Sequence, residues 1–169
     1  MYALFQLFFD ICLLRKGPED VPGTSRVIPF LIPIYAFINM LVLLLSYDFF
    51  SSVQQVAVEI LLVLGLPYCV LFLVGKPVRY QQTTSALIGT DCVVTLASLP
   101  AMATLIGQGQ PFAYFIIVVL MLWHWVISGH IFKKALEVPL IFGLAVAFLY
   151  MVTTYQVLTW LFPEIAAQG

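Results

Sequence analysis

The chain has 169 residues, 63% of them hydrophobic and 9% charged, with a mean hydropathy of +1.07. Soluble domains are about half apolar and a quarter charged, so a water-soluble core cannot absorb this composition. Seven Lys and Arg stand against eight Asp and Glu, and the basic residues fall at three separate places, which leaves no nucleic-acid footprint.

Residues 1–25 open with MYALFQLFFDICLLRKGPED. The apolar run covers about 14 residues where a crossing helix needs about 20, and it lacks the basic start and small-residue cleavage site of a secretory leader. Gln6 and Asp10, four apart, draw a narrow polar stripe on an apolar helix. The segment is therefore expected to lie in the membrane interface, or tucked beneath a bundle, before KGPEDVPGTS breaks the helix with prolines and glycines. Residues 26–169 then carry five apolar stretches of crossing length: about 27–47, 53–74, 83–106, 112–132 and 138–162. Between them SYDFFSS, GKPVRYQQ, GQGQP and KKALE hold turn-forming and charged residues. Pro29 and Pro33 fall in the first turns of the first span, and Pro67 and Pro100 inside the second and third. Ala97 with Ala101, and Gly143 with Ala147, offer small-residue contacts for close helix packing. The expected fold class is all-α: a polytopic membrane bundle of five transmembrane helices with an N-terminal interfacial helix.

The basic residues test those spans independently. Arg15, Lys16 and Arg26 precede the first, Lys76 and Arg79 lie between the second and third, and Lys133 and Lys134 between the fourth and fifth. In a five-span chain all three places share one side, which predicts a cytoplasmic N-terminus and an outside C-terminus. Cys12, Cys69 and Cys92 lie far apart without metal or redox spacing, and all three read as small buried hydrophobes.

One residue sits badly in so apolar a chain. ALIGTDCVVTLASLP places Asp91 about 12 Å of helix beyond Thr83, where a bare charge costs roughly 2.5 to 3.5 kcal/mol. On the antiparallel fourth span His124 lies nine residues before Lys133, at matching depth, and the two could hydrogen-bond across helices. Thr84, Asp91, Thr95 and Ser98 follow at spacings of seven, four and three on one helical face, and His124 shares a face with Ser128. With Asn39 these residues form a candidate polar seam. It reads either as hydrogen bonding between helices or as a proton or ion path. A single deep acid, and no repeated pair of broken helices, weighs toward the first.

Other polar residues read as ordinary. Glu59, near the outer end of the second span, is expected to reach headgroups or water, and His130, beside Lys133 and Lys134, to be interfacial. The i,i+6 spacing of the two histidines makes a poor metal site, and no GxSxG, HExxH or P-loop pattern occurs. No catalytic residue, cofactor or metal is expected.

The third span's GTDCVVTLASLP resembles the third-span pattern of the Yip1 family of small polytopic membrane proteins, which ends in Leu-Pro, here Leu99 and Pro100. MLWHWVISGHIFKKALEVPL is similar to that family's Trp, small residue, Lys-Ala and apolar sequence, here at Trp123, Gly129, Lys134 and Ala135. LLRKGPEDVP resembles more the short bacterial relatives of that family. The resemblance covers most of the chain and implies a non-enzymatic protein that binds or organises other membrane components; it supplies no catalytic residues.

Two functions follow as expectations. The leading one is an accessory or organising component of a membrane assembly in a bacterial inner membrane. Its basic cytoplasmic surface of Arg15, Lys16, Arg26, Lys76, Arg79, Lys133 and Lys134 would meet lipid headgroups, other membrane proteins or a second copy. The other is a small proton- or ion-coupled channel or transporter using Asp91 and His124.

Overall fold

The computed structural model describes residues 2–163, which are helical with no strand among them. The order is α1 (Tyr2–Cys12), a 3-10 turn (Pro18–Asp20), α2 (Val27–Leu43), α3 (Phe49–Leu73), a 3-10 turn (Pro77–Arg79), α4 (Tyr80–Gln108), α5 (Pro111–Leu136) and α6 (Leu140–Leu161). Four segments are long and apolar enough to cross a membrane: Phe49–Leu73, Pro77–Gly107, Pro111–Leu136 and Leu140–Leu161. These are the second to fifth expected spans. The first, α2, has 17 residues, about 25 Å of helix, because it ends at Leu43 and passes into a turn.

Local chemistry sets the boundaries. α3 begins early because Asp48 caps it, accepting from the Phe50 and Ser51 amides at 3.0 and 3.1 Å and from the Ser51 hydroxyl at 2.7 Å. Those Ser51 bonds hold the Asp48 carboxyl below its usual range. α4 ends on Gly109 at φ 61°, a left-handed position glycine takes without strain, and Pro111 opens α5. α5 ends on Glu137 at φ 56°, where no glycine relieves the backbone. Pro29 and Pro33 are the third and seventh residues of α2, within its first two turns.

α4 is the hub, touching α1, α2, α3 and α5. Its residues 83–90 are all buried, as happens when a helix is surrounded on every side. α5 and α6 approach most closely at Gly129 and Gly143. A Cβ on Gly143 would lie 2.8 Å from the Lys133 amide nitrogen, and Ala147, one turn on, is fully buried. α1 crosses α4 at Gly89, where the ring of Phe8 fills the place of a side chain, and the Cys12 thiol lies 3.9 Å from the Thr90 carbonyl. Leu7, Phe8, Ile11 and Cys12 are buried there. Cys12 and Cys92 are buried as expected, but Cys69 is exposed, because that face of α3 meets no other helix.

All three basic places meet at one end of the bundle. From the α3–α4 turn, Lys76 donates to the Leu136 carbonyl at 2.9 Å, and Arg79 to the Lys134 and Ala135 carbonyls at 3.0 and 3.2 Å. These are terminal acceptors of α5 that no amide of the helix can reach. Both cations also pair with Glu137, and these two contacts hold its carboxyl below the ordinary range. Lys134 pairs with Glu19 at 2.9 Å; partial burial pushes that carboxyl up, but the Lys134 ammonium brings it net below its usual value. Lys16 pairs with Asp10 at 3.2 Å, and Gln82 donates to the Val21 carbonyl at 3.1 Å. The opposite end is more loosely packed, with Ser52, Gln55 and Val56 of α3 and Ala113 of α5 buried there. Ala101 is the one buried residue among 95–107, and none is buried in α2 beyond Ile38 or in α6 beyond Ala147.

Candidate functional site

Asp91 follows immediately after the buried run of α4, roughly 17 Å along the helix from Tyr80; His124 lies roughly 18 Å back from Leu136 on antiparallel α5. Matching depth and helix rotation together bring His124 Nε2 to 3.4 Å from Asp91 Oδ1. The side chains keep 22% and 21% of their exposure, so the pair is not sealed between helices. It borders a cleft of about 300 Å³. α2 contributes Tyr35 and Asn39, α3 Glu59, and α4 Leu87 beside Asp91. α6 closes the far wall with Tyr150, Met151, Thr154, Tyr155 and Leu158. The cleft thus runs from mid-helix toward the loosely packed end.

Glu59 departs from expectation. It does not reach outward; it turns into this cleft, one oxygen accepting from the Gln55 amide at 3.2 Å while Oε2 is withdrawn from solvent with no hydrogen-bond donor. The reason is the face it occupies. Ser52, Gln55 and Glu59, at spacings of three and four, form one polar stripe, and Ser52 and Gln55 are buried against the bundle. That stripe was readable in the sequence once the three were taken together. Tyr150 and Thr154 are likewise four apart on α6 and share the cleft.

The expected seam is only partly assembled. Asn39 lines the cleft, its amide donating back to the Tyr35 carbonyl at 3.0 Å. Thr84 and Ser128 lie in the sealed half, fully buried, with hydroxyls that have no partner. Thr95 and Ser98 lie beyond the cleft, and the Ser98 hydroxyl donates to the Thr95 carbonyl at 2.8 Å. All four α4 residues do share a face; the seam breaks because packing is tight below Asp91 and loose above it. His130 is structural, its Nε2–H donating to the Lys16 carbonyl at 3.1 Å.

Chemically, the cleft holds two carboxylates and one imidazole and no Lys or Arg. A proton can pass between Asp91 and His124 across their contact, and Glu59 offers a second acceptor in the same space. Among the described residues no three His, Cys, Asp or Glu side chains converge on a position where a metal ion could be held. No family model, curated protein or solved structure matches the chain.

Proposed function

We propose that this is a five-crossing bacterial inner-membrane protein, with α2 as its first crossing, its basic end cytoplasmic and its C-terminus outside. In it the Asp91–His124–Glu59 cleft is the binding site of a small proton- or cation-coupled channel or transporter. One observation carries the reading: the Asp91–His124 pair stays partly exposed in a cleft shared with a second carboxylate. Groups that serve packing alone are closed over, as Thr84, Ser85 and Ser128 are in the same bundle. Ionisable side chains at membrane depth that line a cavity mark proton and ion pathways more often than mere packing. The clustering of Lys and Arg at one end supports the orientation. The test is proton flux in reconstituted vesicles: Asp91→Asn keeps the size and hydrogen bonding of the side chain and is expected to abolish flux with the fold intact. Equal flux in wild type and Asp91→Asn overturns the reading.

A second reading, the accessory or organising component, is favoured by another observation. Between α4 and α5 at the loose end lies an open groove of about 440 Å³ where Ala97, Ala101, Thr104 and Ala113 stand beside the larger Phe112 and Ile116; the small residues admit a neighbouring helix closely. The resemblance to the Yip1 family supports it. At the basic end, Lys16, Lys76, Arg79 and Lys134 are occupied by internal pairs, which leaves Arg15, Arg26 and Lys133 to meet headgroups or a partner. Gentle extraction from the native membrane with mass determination tests this reading: a reproducible larger assembly supports it, and a lone chain overturns it.

A further inference from the structure

We infer that the cleft between α2, α3, α4 and α6 binds a small organic ammonium ion, its nitrogen drawn to Asp91 and Glu59 and its body against Tyr150 and Tyr155. The inference rests on the proposed function in treating the cleft as a binding site, and it names the class of ligand.

Size comes first. A water molecule occupies about 30 Å³ of liquid, so the cleft's volume of about 300 Å³ is room for roughly ten water-sized groups, far more than a proton or bare metal ion uses. It is also at the small end of cavities that hold organic ligands. Charge gives the sign. Asp91 and Glu59 face the space, His124 is the sole basic group in its lining, and the described Lys and Arg cluster at the opposite end. An anion finds two carboxylates and no Lys or Arg there, whereas an ammonium brings both the donors and the opposite charge that a carboxylate takes best. The acids and the imidazole do not converge as metal ligands, so their charge suits a cation with volume rather than a point ion.

The lining completes the match. Tyr35, Tyr150 and Tyr155 stand beside Leu87, Met151 and Leu158. Tyrosine rings attract cations through their faces, an effect strengthened where water is displaced. An ammonium N–H donates to the partly exposed Asp91 carboxylate, with Glu59 in the same lining, and an aromatic or alkyl body of several carbons covers the tyrosines. Leu158 lies about 12 Å of helix beyond Tyr150 toward the loose end, which gives such a molecule its entry route.

The probe is radiolabelled 2-phenylethylammonium, with 2-phenylethanol as its uncharged analogue, on detergent-purified full-length protein. Saturable binding is expected, with no displacement by an equal concentration of the alcohol. Asp91→Asn and Glu59→Gln should each weaken binding by about 30-fold or more. Tyr155→Leu, at a residue 59% exposed and so harmless to the fold, should weaken it by about three- to tenfold. Absence of saturable binding, equal displacement by the alcohol, or unchanged binding in both acid variants overturns the inference. Proton flux measured on the same preparations separates the two proposals. Flux lost in Asp91→Asn without saturable amine binding removes the ammonium ligand and keeps the proton site. Amine binding without flux keeps the ligand and removes the coupling.

Discussion

The basic end and the opposite end of the bundle are made from the same helices by opposite means. At the first, α4 is buried on every side, and Lys76 and Arg79 reach across to satisfy the terminal carbonyls of α5. At the second, α2, α4 and α6 present almost no buried residue, and the cleft that holds Asp91 opens there. The difference teaches that this chain concentrates its packing in one half and leaves the other able to admit something.

The largest effect should come from breaking the tight half. Gly143→Leu forces a side chain into the backbone of α5 at Gly129 and Lys133, a clash neither helix can relieve by a rotamer change. No monodisperse protein should be recovered in size-exclusion chromatography; normal yield would show that the α5–α6 contact is less rigid than its geometry. Next comes the clamp. Lys76→Ala with Arg79→Ala strips the donors from three α5 carbonyls and should cost about 1 to 3 kcal/mol, read as a lowered Tm in detergent. Asp91→Leu leaves His124 without its partner and should lower Tm measurably, while Asp91→Asn, which still hydrogen-bonds, should not.

Acidification tests the clamp more gently. Glu137 and Glu19 have folded-state carboxyls lowered by their cationic partners, so their stabilisation is full above the unfolded glutamate value of about 4.3. It is lost as pH falls below that value and through the depressed folded one. Thermal unfolding between about pH 6 and 3 should show this loss, and Glu137→Gln should flatten part of it. Smallest of all, Thr95→Val and Ser98→Ala lie beyond the cleft at the loose end and should change Tm within about 0.5 kcal/mol of stability. A large loss at either would show that the loose end is held by contacts its exposure does not reveal.

Much of this comparison was legible in the sequence, for local reasons. Turn residues such as Gly75, Gly109 and Pro111 break the apolar runs wherever helices end, and a fixed rise per residue sets depth, which is why Asp91 and His124 could be matched by counting. Rotation about each helix axis is a tertiary quantity. It decided that Glu59 faces inward and that Cys69 faces away from the bundle, and taking each residue singly missed both. The splay above Asp91 is tertiary too, and it separates Thr95 and Ser98 from the residues with which they share a face. For α2, the apolar run through Tyr47 suggested a longer helix than the backbone forms, since hydropathy does not register the turn at Leu44.

The seat of α1 has a consequence for biosynthesis. Phe8 packs on Gly89, which the ribosome reaches 81 codons later, so at about 5 to 20 residues per second the first helix is made roughly 4 to 16 s before its receptor exists. Docking of α1 thus waits on the synthesis of α4, and its arrival closes one flank of that helix.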